Sequence, residues 1–210
     1  MKENLILYHY WRSSCSWRVR WALNHKNVKY TAKAVDLLAG EQNSAAFLAK
    51  NPFGYVPALE TPAGVFGESL AILEWIEETY PKNPLLPSSS SDRLQIRQIC
   101  QMIASGIQPI QNLSVMRRHS SDPVAQSEWG HHWIQKGFDK LELVVSKTAG
   151  TYCFGGTLTF ADICLVPQVF NANRFKVDMD QYPTLKRINA HCLTLKACDA
   201  AAPHNQPGAC

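Results

Sequence analysis

Residues 81–91, PKNPLLPSSSS, hold three prolines and four serines. Such a stretch punctuates a chain and does not continue a helix or a strand. It constrains the fold because the hydrophobic pattern differs on its two sides. Before it, strand-like and helix-like segments alternate; after it only helical patterns occur. The expected organisation is an α/β unit over 1–82, a linker over 83–91 and an all-helical unit over 92–210. A chain of 210 residues can divide this way and still build cores without disulfide or metal staples.

Leu5 to Tyr10 is a short, nearly continuous apolar run, as expected of a strand buried on both faces. From Ser16 to Lys26 the apolar residues Trp17, Val19, Trp21, Ala22 and Leu23 recur at helical spacing, with Arg18, Arg20 and Lys26 elsewhere. Val28 to Val35 returns to alternation. A strand, helix, strand opening of this length implies parallel pairing. Glu41 to Lys50 reads as a short helix that stops at Asn51-Pro52. Two short strands, Val56–Glu60 and Val65–Phe66, flank a turn. Ser69 then offers an N-cap for a helix over Leu70 to Tyr80. The unit therefore reads βαβαββα. In the second unit the helical patterns cover 92–118, 123–148, 159–172 and 183–197. Pro109 and Pro167 lie inside two of these and are expected to kink them. The tail after about residue 198 is expected to be poorly ordered or draped on the surface.

Several function classes are disfavoured. The net charge is only +4, with Lys and Arg scattered, so no nucleic-acid footprint is expected. No apolar run approaches the ~18 residues that a membrane span needs, so no membrane partner is expected. The seven cysteines are an odd number without CxxC or zinc-ligand spacing, and no metal is expected. MKENLILYHYW lacks the features of a signal peptide. Together these point to a reduced, cytoplasmic protein.

The chemistry concentrates where the first strand runs through Tyr10-Trp11-Arg12 into the turn Ser13-Ser14-Cys15 and directly into a helix. Hydroxyl and thiol groups there stand beside unpaired backbone N–H groups and the positive end of a helix dipole. Such a place stabilises an anion, including a thiolate. From the local sequence alone, the plainer reading of one serine as an N-cap is favoured. Val56-Pro57, between a helix and a strand, is where a cis-proline can present backbone groups to a bound peptide. Glu68-Ser69 opens another helix, where Ser69 either receives a carboxylate or simply caps. His131-His132 makes a poor metal pair, because adjacent helical residues point apart. Trp129, Trp133 and Phe138 read as core, and Asp162 of Thr159-Phe160-Ala161-Asp162 reads as a structural capping residue.

These features resemble the thioredoxin-like domain of glutathione transferases. YWRSSCSWRVRWAL is similar to the SSCxWRVR signature of the zeta class, also called maleylacetoacetate isomerases. GIQPIQNLSV at 106–115 and ADICLVPQVFNANRFKVD at 161–178 resemble zeta-class segments of the helical domain. The resemblance implies glutathione as cofactor. Ser13 would hydrogen-bond its sulfur, with Ser14 and Cys15 completing the loop. Val56 would bind the tripeptide backbone, Glu68 and Ser69 the γ-glutamyl end, and Gln42 the glycine end. Gln108, Asn112 and Ser114 would close over the site, and Arg174, assisted by Arg12, would pair with a substrate carboxylate. Glu68 departs from the Gln common in this class, and the loop around Gln42 is about two residues shorter than in some relatives.

The implied reaction is cis–trans isomerisation of a small dicarboxylate, maleylacetoacetate or maleylpyruvate, within tyrosine and phenylalanine catabolism in the first case. A thiolate adds to the alkene, the former double bond rotates, and the thiolate leaves. Three alternatives stay open: a transferase that conjugates electrophiles or dehalogenates α-haloacids, a thiol–disulfide oxidoreductase using Cys15, and a binding module that keeps only the fold. The resemblance also implies a homodimer.

Overall fold

The computed structural model describes residues 4–209. Residues 1–3 of MKENLILYHYW, and Cys210, lie outside the described residues. The chain forms two units, one of residues up to Pro84 together with those from Leu195 on, the other of Leu85–Thr194.

In the first unit a four-stranded sheet has the order β2-β1-β3-β4. β1 (Ile6–His9) pairs parallel with β2 (Thr31–Ala34), as the crossover length predicts. It also pairs antiparallel with β3 (Ala58–Thr61), which continues antiparallel into β4 (Gly64–Phe66). Side chains alternate across a strand. Tyr8 accordingly joins Val35, Phe47 and Ala58 in a cluster on one face, while His9 meets helix α1 (Ser14–His25) on the other. The remaining helices of this unit are α2 (Ala45–Leu48), preceded by a 3-10 turn over Glu41–Asn43, and α3 (Ser69–Thr79).

α1 is buried along nearly its whole length, from Ser14 to Leu23 apart from Cys15. Its arginines are therefore not on a solvent face: Arg18 and Arg20 are buried beside Trp17, Trp21 and Leu23. Lys26, just beyond the helix, is buried as well. Its ammonium group donates to the carbonyls of Tyr80, Lys82 and Asn83 and pairs with Glu77 at 2.6 Å. It thus caps the C-terminal end of α3, where unpaired carbonyls and the negative end of the helix dipole gather.

The second unit contains α4 (Ser90–Ala104), α5 (Leu113–His119), α6 (Pro123–Val145), α7 (Phe160–Arg174) and α8 (Pro183–Leu193). The pattern read as one helix over 92–118 is interrupted after Ala104. Gly106 follows, then a 3-10 turn over Gln108–Gln111 with Pro109 near its start. Proline lacks the N–H that an α-helix interior needs, so Pro109 ends the segment instead of kinking it. α7 continues through Pro167. Thr159 and Asp162 form the expected capping box: the carboxylate accepts from the Thr159 N–H at 2.8 Å and from the Cys153 N–H at 2.7 Å. Burial raises the Asp162 pKa against those hydrogen bonds.

The end of the chain departs most from expectation. The helix read over 183–197 stops at Leu193, and α9 (Lys196–Ala201) follows with Cys198 and Ala201 buried. α9 packs on α1: Arg20 Nε donates to the Ala201 carbonyl at 2.9 Å and Asn24 Nδ2 to the Ala197 carbonyl at 3.5 Å. The tail from Leu195 is thus ordered, and it groups with the first unit instead of the helical one. Leu85 and Leu86, in the expected linker, are buried, and the Phe160 N–H donates to the Leu85 carbonyl at 3.2 Å.

Candidate active site

The start of α1 is shaped by Ser13. Its backbone is extended (φ −67°, ψ 120°), and its Oγ accepts from the Ser16 N–H at 3.2 Å. Ser13 is therefore the N-cap, and this leaves its hydroxyl proton free to be given elsewhere. Ser14 is buried, while Ser13 and Cys15 are half-buried. A partly open hydroxyl donor thus stands at the positive end of a twelve-residue helix whose first N–H groups lack intrahelical partners.

Ser69 behaves differently from a simple cap. The N-cap of α3 is Glu68, whose side chain makes no capping hydrogen bond and whose backbone lies at φ 62°. A non-glycine residue there is uncommon and costs energy, of order 1 kcal/mol or more. Ser69 is the first helical residue, buried, and its Oγ accepts from Arg18 Nη1 at 3.2 Å. The same nitrogen lies 3.6 Å from Cys15 Sγ. One guanidinium thus touches two of the residues that the sequence singled out, 51 positions apart from Ser69 along the chain.

The Val56-Pro57 bond is cis. The loop before it is organised by Asn51, whose amide donates to the Tyr55 carbonyl at 2.8 Å and accepts from the Phe53 N–H at 3.3 Å. Gly67, next to Glu68, lies against the Asn51 side chain; a Cβ there would come within 3.3 Å of it. Asn51 therefore links the approach to Val56 with the approach to Glu68. Gly54, at φ 65°, allows the Gln42 carbonyl to approach; an added Cβ would sit 3.1 Å from it. Gln42 Oε1 is buried without a hydrogen-bond partner.

Two further groups adjoin the turn. Arg20 Nη1 and Nη2 donate to the Tyr10 and Trp11 carbonyls at 3.4 and 3.1 Å, and Nη1 lies 3.2 Å from His9 Nδ1. Burial lowers the Arg20 pKa to about 10. Burial, then the Arg20 charge, lower that of His9 to about 4. Arg12 is half-buried, its guanidinium 5.4 Å from the centre of the Trp11 ring.

The helical unit carries the other candidates. Gln108 opens the 3-10 turn, Asn112 is the N-cap of α5 without a side-chain capping bond, and Ser114 is exposed in its first turn. Arg174, the last residue of α7, is exposed; Nη1 donates to Asn171 Oδ1 at 3.3 Å, and Cζ lies 5.5 Å from the Phe175 ring centre. The helix ends in a Schellman motif: the Val177 N–H bonds the Ala172 carbonyl and the Lys176 N–H bonds that of Asn173, with Lys176 at φ 58°. Phe175 is held by Gly130, where a Cβ would meet its ring at 2.5 Å, and by His131 Nδ1, 2.9 Å from its carbonyl oxygen. His131 thus holds a helix end, and His132 is exposed with its ring against Trp133. Among the described residues no group of three or more His, Cys, Asp or Glu could hold a metal, and no helix is long and apolar enough to cross a membrane. Phe138 is buried, whereas Trp129 and Trp133 are half-buried, with Trp129 Nε1 donating to the Ile110 carbonyl at 2.8 Å.

The roles of Arg18, Asn51 and the Gly130–Phe175 contact are not read from sequence, and His131 reads there only as half of a poor metal pair. No local signal marks Arg18, because Ser14 and Arg18 share the i, i+4 spacing of a polar helix face.

A mixed β2-β1-β3-β4 sheet with this helix start and cis-proline turn, joined in one chain to a helical unit, defines the glutathione transferase class. Residues 7–84 match the family described as glutathione S-transferase, N-terminal domain. The maleylacetoacetate isomerase of Dictyostelium discoideum is 48% identical, covering 100% of this chain and 98% of that one. A bacterial zeta-class glutathione transferase, a maleylpyruvate isomerase in its holo form, superposes with a TM-score of 0.94 at 41% identity, covering 98% of this chain and 100% of that one. The maleylacetoacetate isomerase of Anaeromyxobacter dehalogenans 2CP-1, with dicarboxyethyl glutathione and citrate bound in its active site, gives a TM-score of 0.91 at 42% identity, covering 100% and 99%. The chain belongs to the zeta-class glutathione transferases, in the maleylacetoacetate isomerase family.

Proposed function

We propose that the protein is a glutathione-dependent cis–trans isomerase of small unsaturated dicarboxylates, with maleylacetoacetate as its first substrate and maleylpyruvate as the nearest alternative. The observation that carries the reading is Ser13, a capping serine whose oxygen accepts from the Ser16 N–H and whose proton stays available at a helix N-terminus. The dicarboxyethyl group on glutathione in the Anaeromyxobacter relative is what thiol addition to a four-carbon unsaturated diacid yields.

The residues suit glutathione. Gln42 carries a buried, unpartnered acceptor for an N–H of the tripeptide. Val56, before the cis peptide, offers its backbone to the cysteinyl part, and Glu68 with Ser69 offers an ammonium acceptor and a carboxylate donor at the γ-glutamyl end. Glutathione, when bound, would supply a thiolate for reversible addition to the alkene. Ser13 donates its hydroxyl proton to the sulfur and holds it in the anionic form, with the N–H groups of Ser14 and Cys15 adding the field of α1. Arg174, braced by Asn171 and Phe175, pairs with a substrate carboxylate. Arg12 assists, and Gln108, Asn112 and Ser114 exclude water from the reacting carbons. A homodimer in the cytoplasm, serving tyrosine and phenylalanine catabolism, completes the proposal. Sedimentation showing only monomer at micromolar concentration would remove the dimer.

The deciding assay is optical measurement of maleylacetoacetate isomerisation with and without glutathione, in wild type and Ser13→Ala. Turnover that requires glutathione and falls at least ~100-fold in the variant is expected, the size typical of a lost anion-stabilising donor. A folded wild type that binds glutathione without turnover would exclude the isomerase and leave the conjugating or dehalogenating transferase. Activity kept in Ser13→Ala but lost in Cys15→Ala would favour thiol–disulfide chemistry.

A further inference from the structure

We propose that Arg18 is a positioning residue of the glutathione site, joining the sulfur-binding turn to the γ-glutamyl-binding helix start through one guanidinium nitrogen. The proposal rests on the reading of those two places as the ends of a glutathione site. Arg18 is only 1% exposed, so it does not reach into solvent for a ligand. Its Nη1 instead lies beneath both ends at once, 3.2 Å from Ser69 Oγ and 3.6 Å from Cys15 Sγ.

The first consequence is one of hydrogen-bond direction. A guanidinium only donates, so Ser69 Oγ must accept from it, and the Ser69 proton turns elsewhere. That is the orientation needed to donate to a carboxylate. Ser13 is treated the same way by the Ser16 N–H. The two hydroxyls expected to meet the two ends of the tripeptide are thus both converted into outward donors by buried N–H groups. The contact with Cys15 Sγ also ties the first turn of α1 to the first turn of α3, and so holds the spacing between the two ends of the site. The second consequence is electrostatic. The guanidinium is cationic, and its Nη1 meets Cys15 in the turn that would hold a thiolate and Ser69 where a carboxylate would sit. It therefore biases the bound thiol toward ionisation as well as fixing the frame.

The test uses Arg18→Met, which keeps the length of the side chain, and Arg18→Lys, which keeps the charge without the fork. The pKa of the bound glutathione thiol is read from thiolate absorbance against pH. Affinity for S-methylglutathione, which cannot ionise at sulfur, is read by calorimetry. In Arg18→Met the bound-thiol pKa is expected to rise by about one unit or more, and S-methylglutathione to bind about tenfold more weakly, the loss of one charge-oriented hydrogen bond. Arg18→Lys should lie between. A merely structural arginine would lower the melting temperature without moving the thiol pKa. A folded Arg18→Met with wild-type values for both readouts would overturn the proposal. Should Arg18→Met not fold, Arg18→Lys and Ser69→Ala in a double-mutant cycle on glutathione affinity decide: coupling of several-fold supports the contact, and additive effects refute it. Ser13→Ala, titrated in parallel, separates the two layers: an unchanged thiol pKa there would sink the site reading itself, whatever Arg18 does.

Discussion

His9 provides a pH test of the first unit. It is fully buried on β1, and Arg20 Nη1 lies 3.2 Å from its Nδ1. Because a guanidinium can only donate, Nδ1 is the acceptor and the ring proton sits on Nε2, which is buried without a partner. Protonating Nδ1 would place two donors and two positive charges face to face. Burial and Arg20 thus lower the pKa from 6.5 to about 4, while in the unfolded chain the ring ionises near its ordinary value. The unfolded state takes up a proton as pH falls below about 6.5, and the folded state does not until about pH 4, so stability is lost across that window. Between pH 7 and pH 5 the expected loss from this group is about 2 kcal/mol, and below pH 4 it approaches about 3 kcal/mol. His9→Asn supplies a comparison, since Asn can offer its side-chain oxygen to Arg20 and does not titrate. Urea unfolding of both proteins at pH 7 and 5 gives the difference directly. Asp162, its pKa raised by burial, contributes with the opposite sign, but equally in both proteins. If wild type and His9→Asn lose the same stability between the two pH values, the assignment of a neutral, buried His9 is wrong.

Other perturbations test separate parts of the molecule. Gly130→Ala would drive a Cβ to 2.5 Å from the Phe175 ring; a loss of ~1–3 kcal/mol on thermal unfolding is expected, typical of overpacking. KM for the dicarboxylate should rise more than kcat falls, because Phe175 braces Arg174. Lys26→Met removes the buried partner of Glu77 and the donor to three carbonyls, and should cost ~3–5 kcal/mol in denaturant melts. Glu68→Gly relieves a backbone at φ 62°; it should leave stability unchanged or raise it by up to ~1 kcal/mol while glutathione affinity, measured by calorimetry, falls.

The order of elements in the first unit was legible because strand and helix periods alternate clearly between Leu5 and Tyr80. The parallel β1–β2 pair followed from crossover length alone. The segment 92–118 was misread as continuous because helical spacing persists across Gly106 and Pro109, and local breakers only sometimes end a pattern. The SSC turn, Val-Pro and Glu-Ser were legible as a set, through family resemblance, while each alone had a plainer reading. For Ser13 the plain reading and the functional one coincide in a single atom. For Ser69 the plain reading fails, since its Oγ answers Arg18 and the cap is Glu68. Arg18 itself was hidden because an arginine on a helix ordinarily reaches water; its guanidinium is buried against Ser69 of α3 instead, while Arg20 and Asn24 of the same helix meet α9. The α9 contact involves residues about 180 positions away, which periodicity cannot reach.

That distant contact bears on how the molecule is made. Arg20 is synthesised early, yet one of the acceptors for its buried guanidinium, the Ala201 carbonyl, arrives 181 residues later. The helical unit is contiguous between Leu85 and Thr194, so its whole sequence precedes α9. The side of α1 that meets α9 stays uncovered until that segment has been made. The first unit is thus made in two pieces with the whole helical unit between them, and truncation before Ala201 would leave Arg20 without that acceptor.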